Sequence, residues 1–161
     1  MKIKEGDQLP ESEFFYLDSN GLQKIKSHDL FKNQKAIIIG VPGAFTKVCS
    51  AKHLPGYVKN FEATKQKGVT KIFCISVNDP NVMEAWGKNQ KVEDKIFMIA
   101  DPYCKFTKLI GAEIDRTDRG LGLRSARYTM LIENNIVKVI KEEEDTGTCE
   151  VSAAENFIKD I

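Results

Sequence analysis

An unbroken apolar segment, Ala36 to Val41, most constrains how this chain can fold. The segment contains three consecutive isoleucines and is typical of a buried strand. A turn of small residues follows it, and then a helical pattern over about residues 50–67. Cys49 is therefore expected at a strand-to-helix junction, where the first helical N–H groups have no partners and the helix dipole favours an anion. Such a junction favours a thiolate over a thiol.

A thiolate at this junction needs more than the helix dipole. A thiol that is mostly ionised at neutral pH requires about 3 to 4 kcal/mol of stabilisation of its charged form. The dipole at the end of a surface helix supplies about 0.3 to 1 kcal/mol. A cation or a further hydrogen-bond donor must therefore supply the remainder.

Length and charge limit the function classes that need to be considered. The 161 residues fit one domain, expected over residues 1–161. The 24 basic and 23 acidic residues leave a net charge of +1, without the basic block that a nucleic-acid partner requires. The apolar runs are far shorter than the roughly 20 residues of a membrane-spanning helix, and residues 1–5 lack a signal-peptide pattern. We expect an intracellular protein, in the cytoplasm or, if a targeting segment was removed, in a mitochondrion or plastid.

The cysteine count indicates reduced thiols. The chain has 4 cysteines and no C-x-x-C pair, which is too few for a disulfide framework and disfavours zinc ribbons and dithiol sites. We therefore expect no metal.

The remaining patterns predict strands that alternate with helices. Two strands, 13–17 and 22–25, flank the strong turn signal Asp18–Gly21 and predict a hairpin. The helix over 50–67 is expected to kink at Pro55 and to end at Gly68. The other predicted elements are a helix over 27–31, strands over 71–77 and 96–100, helices over 81–91 and 101–110 (with Pro102 at its first position), a hairpin of 127–133 and 136–141, a solvated acidic loop over 141–145, and a terminal helix over 153–161. This order predicts an α/β fold with a mixed sheet.

The pattern Pro42-x-x-x-Thr46-x-x-Cys49 resembles the peroxidatic motif of the peroxiredoxins. Further segments resemble the type II, peroxiredoxin-five-like branch in order and spacing: Gly40–Thr46, Cys49–Ser50, His53–Gly56, Lys67–Val69, Cys74–Pro80, Ala85–Trp86, Ala100–Pro102 and Arg127–Met130. The resemblance extends from about Lys4 to the C-terminus, and it departs from the branch at Lys47, where a proline is common. It implies a thioredoxin-like fold with a mixed central sheet, helices on both faces and an N-terminal β-hairpin extension. It also implies a thiol-dependent peroxidase, without a cofactor, for hydrogen peroxide and small alkyl hydroperoxides.

The resemblance assigns a role to each residue of the motif. Cys49 attacks the O–O bond and becomes a sulfenic acid. The Thr46 hydroxyl bonds the thiolate and aligns the peroxide, although by itself this residue could be a helix N-cap. Arg127 stabilises the thiolate and the leaving oxygen, although by itself it could be a solvated charge at a strand end. Arg124 is the alternative cation, and Pro42 shields the sulfur.

Neighbouring residues are expected to line the substrate pocket: Gly43, Phe45, Val48 and His53. His53 follows Cys49 by four residues, so a cysteine–histidine pair is geometrically possible, but a positioning hydrogen bond is the preferred interpretation. Phe45 and Trp86 are expected to be core or interface aromatics, with contact to the peroxide's organic group as the alternative.

The other cysteines decide how the enzyme is reset. Cys74 falls within a predicted strand, which favours a core position over a resolving role. Cys149 lies near the segment where some animal members carry a resolving cysteine, but the match places that position at Val151. Cys104 is expected to be a packing residue. The default is a one-cysteine cycle reset by glutathione with a glutaredoxin, in a homodimer.

Three alternatives remain open. The first is a two-cysteine peroxiredoxin reduced by thioredoxin. The second is a thioredoxin-like disulfide exchanger that uses Cys49 alone. The third is a redox-sensing or chaperone-like module in which oxidation of Cys49 only switches a partner surface.

Overall fold

A seven-stranded mixed sheet forms the centre of the protein, in a computed structural model that describes residues 1–161. Across the sheet the order is β2 (Gly21–Lys26), β1 (Glu13–Asp18), β5 (Ile96–Ala100), β4 (Lys71–Ser76), β3 (Lys35–Val41), β8 (Tyr128–Glu133) and β9 (Ile136–Glu142). The central strands β3, β4 and β5 are parallel, and β1 and β8 flank them in antiparallel orientation. A separate two-stranded sheet pairs β6 (Glu113–Asp115) with β7 (Leu123–Ser125).

Helices cover both faces of the central sheet. They are α1 (Ser27–Phe31), α2 (Leu54–Lys59), α3 (Phe61–Gln66), α4 (Pro80–Asn89), α5 (Lys105–Leu109) and α6 (Ala154–Phe157), with a π-helix over Cys49–His53 and a 3₁₀ helix over Thr117–Arg119. α1 and α5 pack on one face, whereas α2, α4 and α6 pack on the other. The expected α/β fold, with a mixed sheet between helices and an N-terminal hairpin, is confirmed. None of the helices has the length and apolar character needed to cross a lipid bilayer.

Alternation along the strands divides the core into two layers. In β3, Ile38 packs toward α1 and α5, whereas Ile37 and Ile39 pack toward α2 and α4, in the layer that contains Cys49. β8 is antiparallel to β3 and follows the same rule. Since Tyr128 and Met130 belong to the first layer, the alternate positions 127 and 129 face the layer of Cys49.

The prediction of one continuous helix over residues 50–67 is wrong. Pro55 has no N–H for the helical ladder, and the turn before it widens, so that Leu54 donates to the carbonyl of Cys49, five residues back. A second break falls at Asn60, with φ −96° and ψ 16°. Three short helices therefore replace one, and Cys49 begins the π-helical turn.

The helix predicted from residue 101 begins later, at Lys105. The Asp101 carboxylate accepts the N–H groups of Lys105 and Thr107, each at 2.9 Å, and so fixes the first turn of α5. Pro102 consequently lies in the preceding turn and not at the first helical position.

Other boundaries move by fewer residues. α4 begins at Pro80 because Asp79 caps it, and it ends at Asn89. α6 ends at Phe157 and not at 161, because the N–H groups of Lys159 and Asp160 bond to carbonyls three residues back and not four. β6, β7 and the 3₁₀ helix are too short to give a periodic signal.

Candidate active site

β3 delivers the chain to a short turn that leads into Cys49. Val41 ends the strand, and Pro42 and Gly43 are buried directly after it. Thr46 closes the turn on Gly43, because its N–H and its hydroxyl both donate to the Gly43 carbonyl, at 3.4 and 2.8 Å. Cys49 then starts the π-helix and is completely buried.

Arg127 brings a buried positive charge to the sulfur. Its Nη2 donates to Cys49 Sγ at 3.4 Å. Nε and Nη2 also donate to the carbonyl of Thr146, at 3.3 and 2.8 Å. No carboxylate pairs with this guanidinium, which is only 1% exposed. A buried charge needs compensating partners, and the Cys49 sulfur and the Thr146 carbonyl are the groups that the Nη2 atom of this guanidinium contacts.

His53 contacts Arg127 and not the sulfur. Because Arg127 Nη1 donates to Nδ1 at 3.1 Å, the imidazole carries its proton on Nε2, which donates to Thr129 Oγ1 at 3.2 Å. Burial, with a smaller contribution from Arg127, lowers the pKa of His53 from 6.5 to about 3. The ring is therefore neutral at physiological pH, so it can accept the hydrogen bond from the guanidinium but is too weak a base to transfer protons.

A buried polar network supports His53 from behind. The Thr129 hydroxyl donates to the carbonyl of Ser152 at 3.0 Å, and the Tyr57 hydroxyl reaches the same carbonyl at 3.0 Å. All of these side chains are completely buried. Because every member has a partner, the network fixes the orientation of the imidazole.

The hydrogen bond predicted from Thr46 to the sulfur is not observed, and the alternative cation is not bonded to the sulfur either. The Thr46 hydroxyl donates to Gly43 and not to the sulfur, so its oxygen retains only acceptor capacity. The alternative cation, Arg124, donates to the carbonyls of Leu121 and Val77, at 2.9 and 3.2 Å, and makes no hydrogen bond to the sulfur. Both groups donate to backbone carbonyls, which a sequence pattern does not reveal.

The two aromatic residues predicted near the site, Phe45 and Trp86, differ in exposure. Phe45 is 54% exposed and adopts a left-handed φ of 61° at the tip of the turn. Trp86 is completely buried, and its indole N–H donates to Ser50 Oγ at 3.0 Å, one residue after Cys49. Val48 is half-buried. Trp86 is therefore a core residue beside the site, whereas Phe45 lies at its surface.

The Redoxin family profile matches residues 4–158. The chain belongs to the Redoxin family. Peroxiredoxins are among its relatives: Peroxiredoxin-2B of Arabidopsis thaliana is 42% identical over 98% of this chain and 97% of its own length. This identity confirms the resemblance that the motif indicates. The chain is a peroxiredoxin-type thiol peroxidase.

Solved structures support the same assignment. Reduced Prx3 from Vibrio vulnificus in complex with hydrogen peroxide is 40% identical and superimposes with a TM-score of 0.93 over 98% of each chain. The 1-Cys peroxiredoxin antioxidant protein of Plasmodium falciparum is 30% identical, with a TM-score of 0.91 over 99% of this chain and 100% of its own. The thioredoxin-like fold expected from the sequence is therefore confirmed.

The other three cysteines of this peroxiredoxin are free thiols, and one of them, Cys149, lies with its Sγ 3.9 Å from the hydroxyl of Ser152. Cys74 lies in β4, paired with Ile39 on one side and Met98 on the other, and burial raises its pKa well above the usual value. Cys104 is buried before α5, with φ 56°. Cys149 is half-buried on the loop after β9.

Sequence reasoning missed several residues that hold Arg127. Thr129 could have been found, because alternation along β8 places it on the face of Arg127. Thr146 and Ser152 contribute backbone carbonyls, and a carbonyl leaves no trace in residue type. Tyr57 has the signature of an ordinary core aromatic.

Proposed function

We propose that this peroxiredoxin reduces hydrogen peroxide and small alkyl hydroperoxides through a one-cysteine cycle, with Cys49 as the nucleophile. The observation that carries the proposal is the hydrogen bond from Arg127 Nη2 to Cys49 Sγ, at 3.4 Å in a completely buried site. The solved complex of Vibrio vulnificus Prx3 with hydrogen peroxide supports the choice of substrate.

The first step breaks the peroxide O–O bond. The Cys49 thiolate attacks the terminal hydroxyl oxygen, the new S–O bond forms a sulfenic acid, and the O–O electron pair leaves on the alkoxide or hydroxide. A proton from solvent converts this leaving group into alcohol or water. Arg127 stabilises the thiolate before the reaction and the leaving oxygen during it. Since His53 is neutral and both of its nitrogens are engaged, it takes no part in the proton transfer.

Thr46 and Pro42 complete the proposed reaction site. The Thr46 oxygen retains acceptor capacity and can bind the hydroxyl proton of the peroxide, which would align the O–O bond with the sulfur. Pro42 and Gly43 are buried beside the nucleophile and would exclude water. The complete burial of Cys49 supports small substrates over bulky ones, with Gly43, Phe45 and Val48 along the entry.

The reset step is proposed to use an external thiol. Glutathione attacks the sulfenic acid, releasing water and forming a mixed disulfide, and a second glutathione, with glutaredoxin, regenerates the thiol and yields oxidised glutathione. Cys74 is held in β4 between β3 and β5, and burial raises its pKa, so its small thiolate fraction argues against a resolving role. The 1-Cys peroxiredoxin of Plasmodium falciparum is a precedent for such a cycle.

A two-cysteine cycle reduced by thioredoxin is the second candidate, and the position of Cys149 favours it. This thiol lies on the loop whose Thr146 carbonyl contacts Arg127. Against this role, burial raises the pKa of Cys149 and so reduces its thiolate fraction.

We further propose a homodimer in a reducing intracellular compartment, either the cytoplasm or an organelle. The exposed Phe45 at the tip of the turn supports a dimer that packs around the active site, near residues 79–80 and 120–121. Four free thiols support a reducing environment.

Peroxide consumption with glutathione and glutaredoxin, compared with thioredoxin and its reductase, tests the proposed cycle. The variants Cys74→Ser, Cys104→Ser and Cys149→Ser, and the triple variant, should retain most of the glutathione-supported turnover, and Cys49 should carry one glutathione after peroxide treatment. Loss of turnover in the triple variant, or a quantitative disulfide between Cys49 and either Cys74 or Cys149, would establish the two-cysteine cycle instead.

A further inference from the structure

The loop over residues 143–152, between β9 and α6, holds Arg127 from two sides. On one side, the Thr146 carbonyl accepts from Arg127 Nε and Nη2. On the other side, Arg127 Nη1 donates to the imidazole of His53, and this imidazole donates to Thr129. The Thr129 hydroxyl then donates to the Ser152 carbonyl of the loop. The position of the guanidinium therefore depends on the conformation of this loop.

The carboxylate of Glu143 organises the loop. Its Oε1 accepts the N–H of Glu150 at 2.6 Å, the N–H of Ser152 at 2.8 Å and the hydroxyl of Ser152 at 2.7 Å. Its Oε2 lies 3.2 Å from the hydroxyl of Thr148, which shares its proton between this carboxylate and the carbonyl of Asp145 at 2.8 Å. These four bonds close the loop on itself. The backbone N–H of Glu143 also donates to the Arg127 carbonyl at 2.9 Å, which ties the base of the loop to the residue that it serves.

Glu143 is buried and has no cationic partner, in contrast to the solvated acidic run predicted for residues 141–145. Burial alone would raise the pKa of Glu143, but the hydrogen bonds from Ser152, Glu150 and Thr148 outweigh it and hold the pKa below its ordinary value. The carboxylate is therefore ionised at neutral pH, and its charge strengthens the bonds that shape the loop.

We propose that Glu143 is a positioning residue for the peroxidase reaction, acting through the loop that fixes the Arg127 guanidinium against the Cys49 sulfur. This inference rests on the proposed function, because it assigns Arg127 to that reaction. Without the carboxylate, the N–H groups of Glu150 and Ser152 lose their acceptor, and the two carbonyls that hold Arg127 lose their fixed positions.

The sign of the effect separates positioning from direct electrostatics. A negative charge near the sulfur disfavours the thiolate, so removal of that charge without a change in geometry would speed the attack on peroxide. Loss of positioning has the opposite sign. A misplaced catalytic group costs about 10- to 100-fold in rate. We therefore expect Glu143→Ala to slow sulfenic acid formation by at least about tenfold.

The test measures the rate of sulfenic acid formation by stopped flow, with Trp86 fluorescence as the signal. Glu143→Gln keeps the acceptor oxygen and the shape, and it should stay within about threefold of the wild type. Glu144→Ala is the matched control, because it removes the same charge from an exposed neighbour without a hydrogen bond in the fold, and it should leave the rate unchanged. A wild-type or faster rate in Glu143→Ala would overturn the proposal, as would an equal loss in Glu143→Gln.

A double-mutant cycle with Arg127→Gln excludes a merely structural effect. If Glu143 acts through Arg127, Glu143→Ala should cause little further loss in the Arg127→Gln background. Independent, additive losses would contradict the proposal. If circular dichroism shows that Glu143→Ala does not fold, Ser152→Ala can replace it in the double-mutant cycle. Ser152→Ala removes one of the four bonds to Glu143, so a smaller loss of rate is expected. A wild-type protein that does not react with peroxide would instead refute the proposed function itself.

Discussion

Replacement of Arg127 by Gln should slow the reaction with peroxide by about 10² to 10³-fold. The substitution removes the donor that lies 3.4 Å from Cys49 Sγ. Two unit charges at that distance attract by about 5 kcal/mol at an effective dielectric of about 20. Part of this attraction is offset by desolvation, and a charged hydrogen bond contributes a net value of about 1.5 to 3 kcal/mol. Loss of one donor to a developing oxyanion costs about 2.7 to 4 kcal/mol, which sets the expected range.

The assay is stopped-flow fluorescence under excess hydrogen peroxide. Trp86 is the only tryptophan of the chain, and its hydrogen bond to Ser50 places the reporter beside the nucleophile. Arg124→Gln is the matched control, because its guanidinium donates to the carbonyls of Leu121 and Val77 and not to the sulfur, and it should react within about threefold of the wild-type rate. A fast Arg127→Gln enzyme, or a larger loss in Arg124→Gln, would show that the wrong arginine was assigned.

Two further predictions concern stability. Between pH 7 and pH 5, the wild type should lose about 2 kcal/mol more unfolding free energy than His53→Gln. The reason is that the buried imidazole stays neutral down to about pH 3, whereas in the unfolded chain it takes up a proton near pH 6.5. Equal losses in urea titrations of the two proteins at pH 7 and pH 5 would contradict this. Gly40→Ala should destabilise the fold by about 3 kcal/mol or more, because its Cβ would lie 2.0 Å from the ring of Tyr128. By contrast, Gly56→Ala, whose nearest neighbour is at 3.8 Å, should be neutral or stabilising by up to about 1 kcal/mol, and similar melting shifts in the two variants would refute the packing argument.

Much of the fold could be predicted, because its central strands have strong local signals. β3 coincides with an unbroken apolar run, and the turn Asp18–Gly21 marks the first hairpin. Helix boundaries were harder to predict from the sequence, since they depend on side-chain caps and on where the helical hydrogen-bond pattern changes. Pro55 predicts a disturbance, but the π-helical turn that it produces depends on tertiary packing.

The candidate site was predictable only in its side-chain chemistry. Cys49, Thr46 and Arg127 have residue types that a motif can record, although Arg127 is far away in sequence and no spacing rule links it to the sulfur. The carbonyls of Thr146 and Ser152 have no such signal. Glu143 was concealed by its neighbours, because a run of acidic residues indicates a solvated loop while the fold turns one carboxylate inward.

Identification of the oxidised residue tests whether Cys49 is the nucleophile. The protein should be treated with one equivalent of hydrogen peroxide in the presence of a dimedone-type probe and digested for mass spectrometry. Cys49 alone should carry the label, and Cys49→Ser should be unlabelled, should not consume peroxide and should remain folded. Labelling mainly at Cys74, Cys104 or Cys149, or peroxide consumption by Cys49→Ser at the wild-type rate, would contradict this.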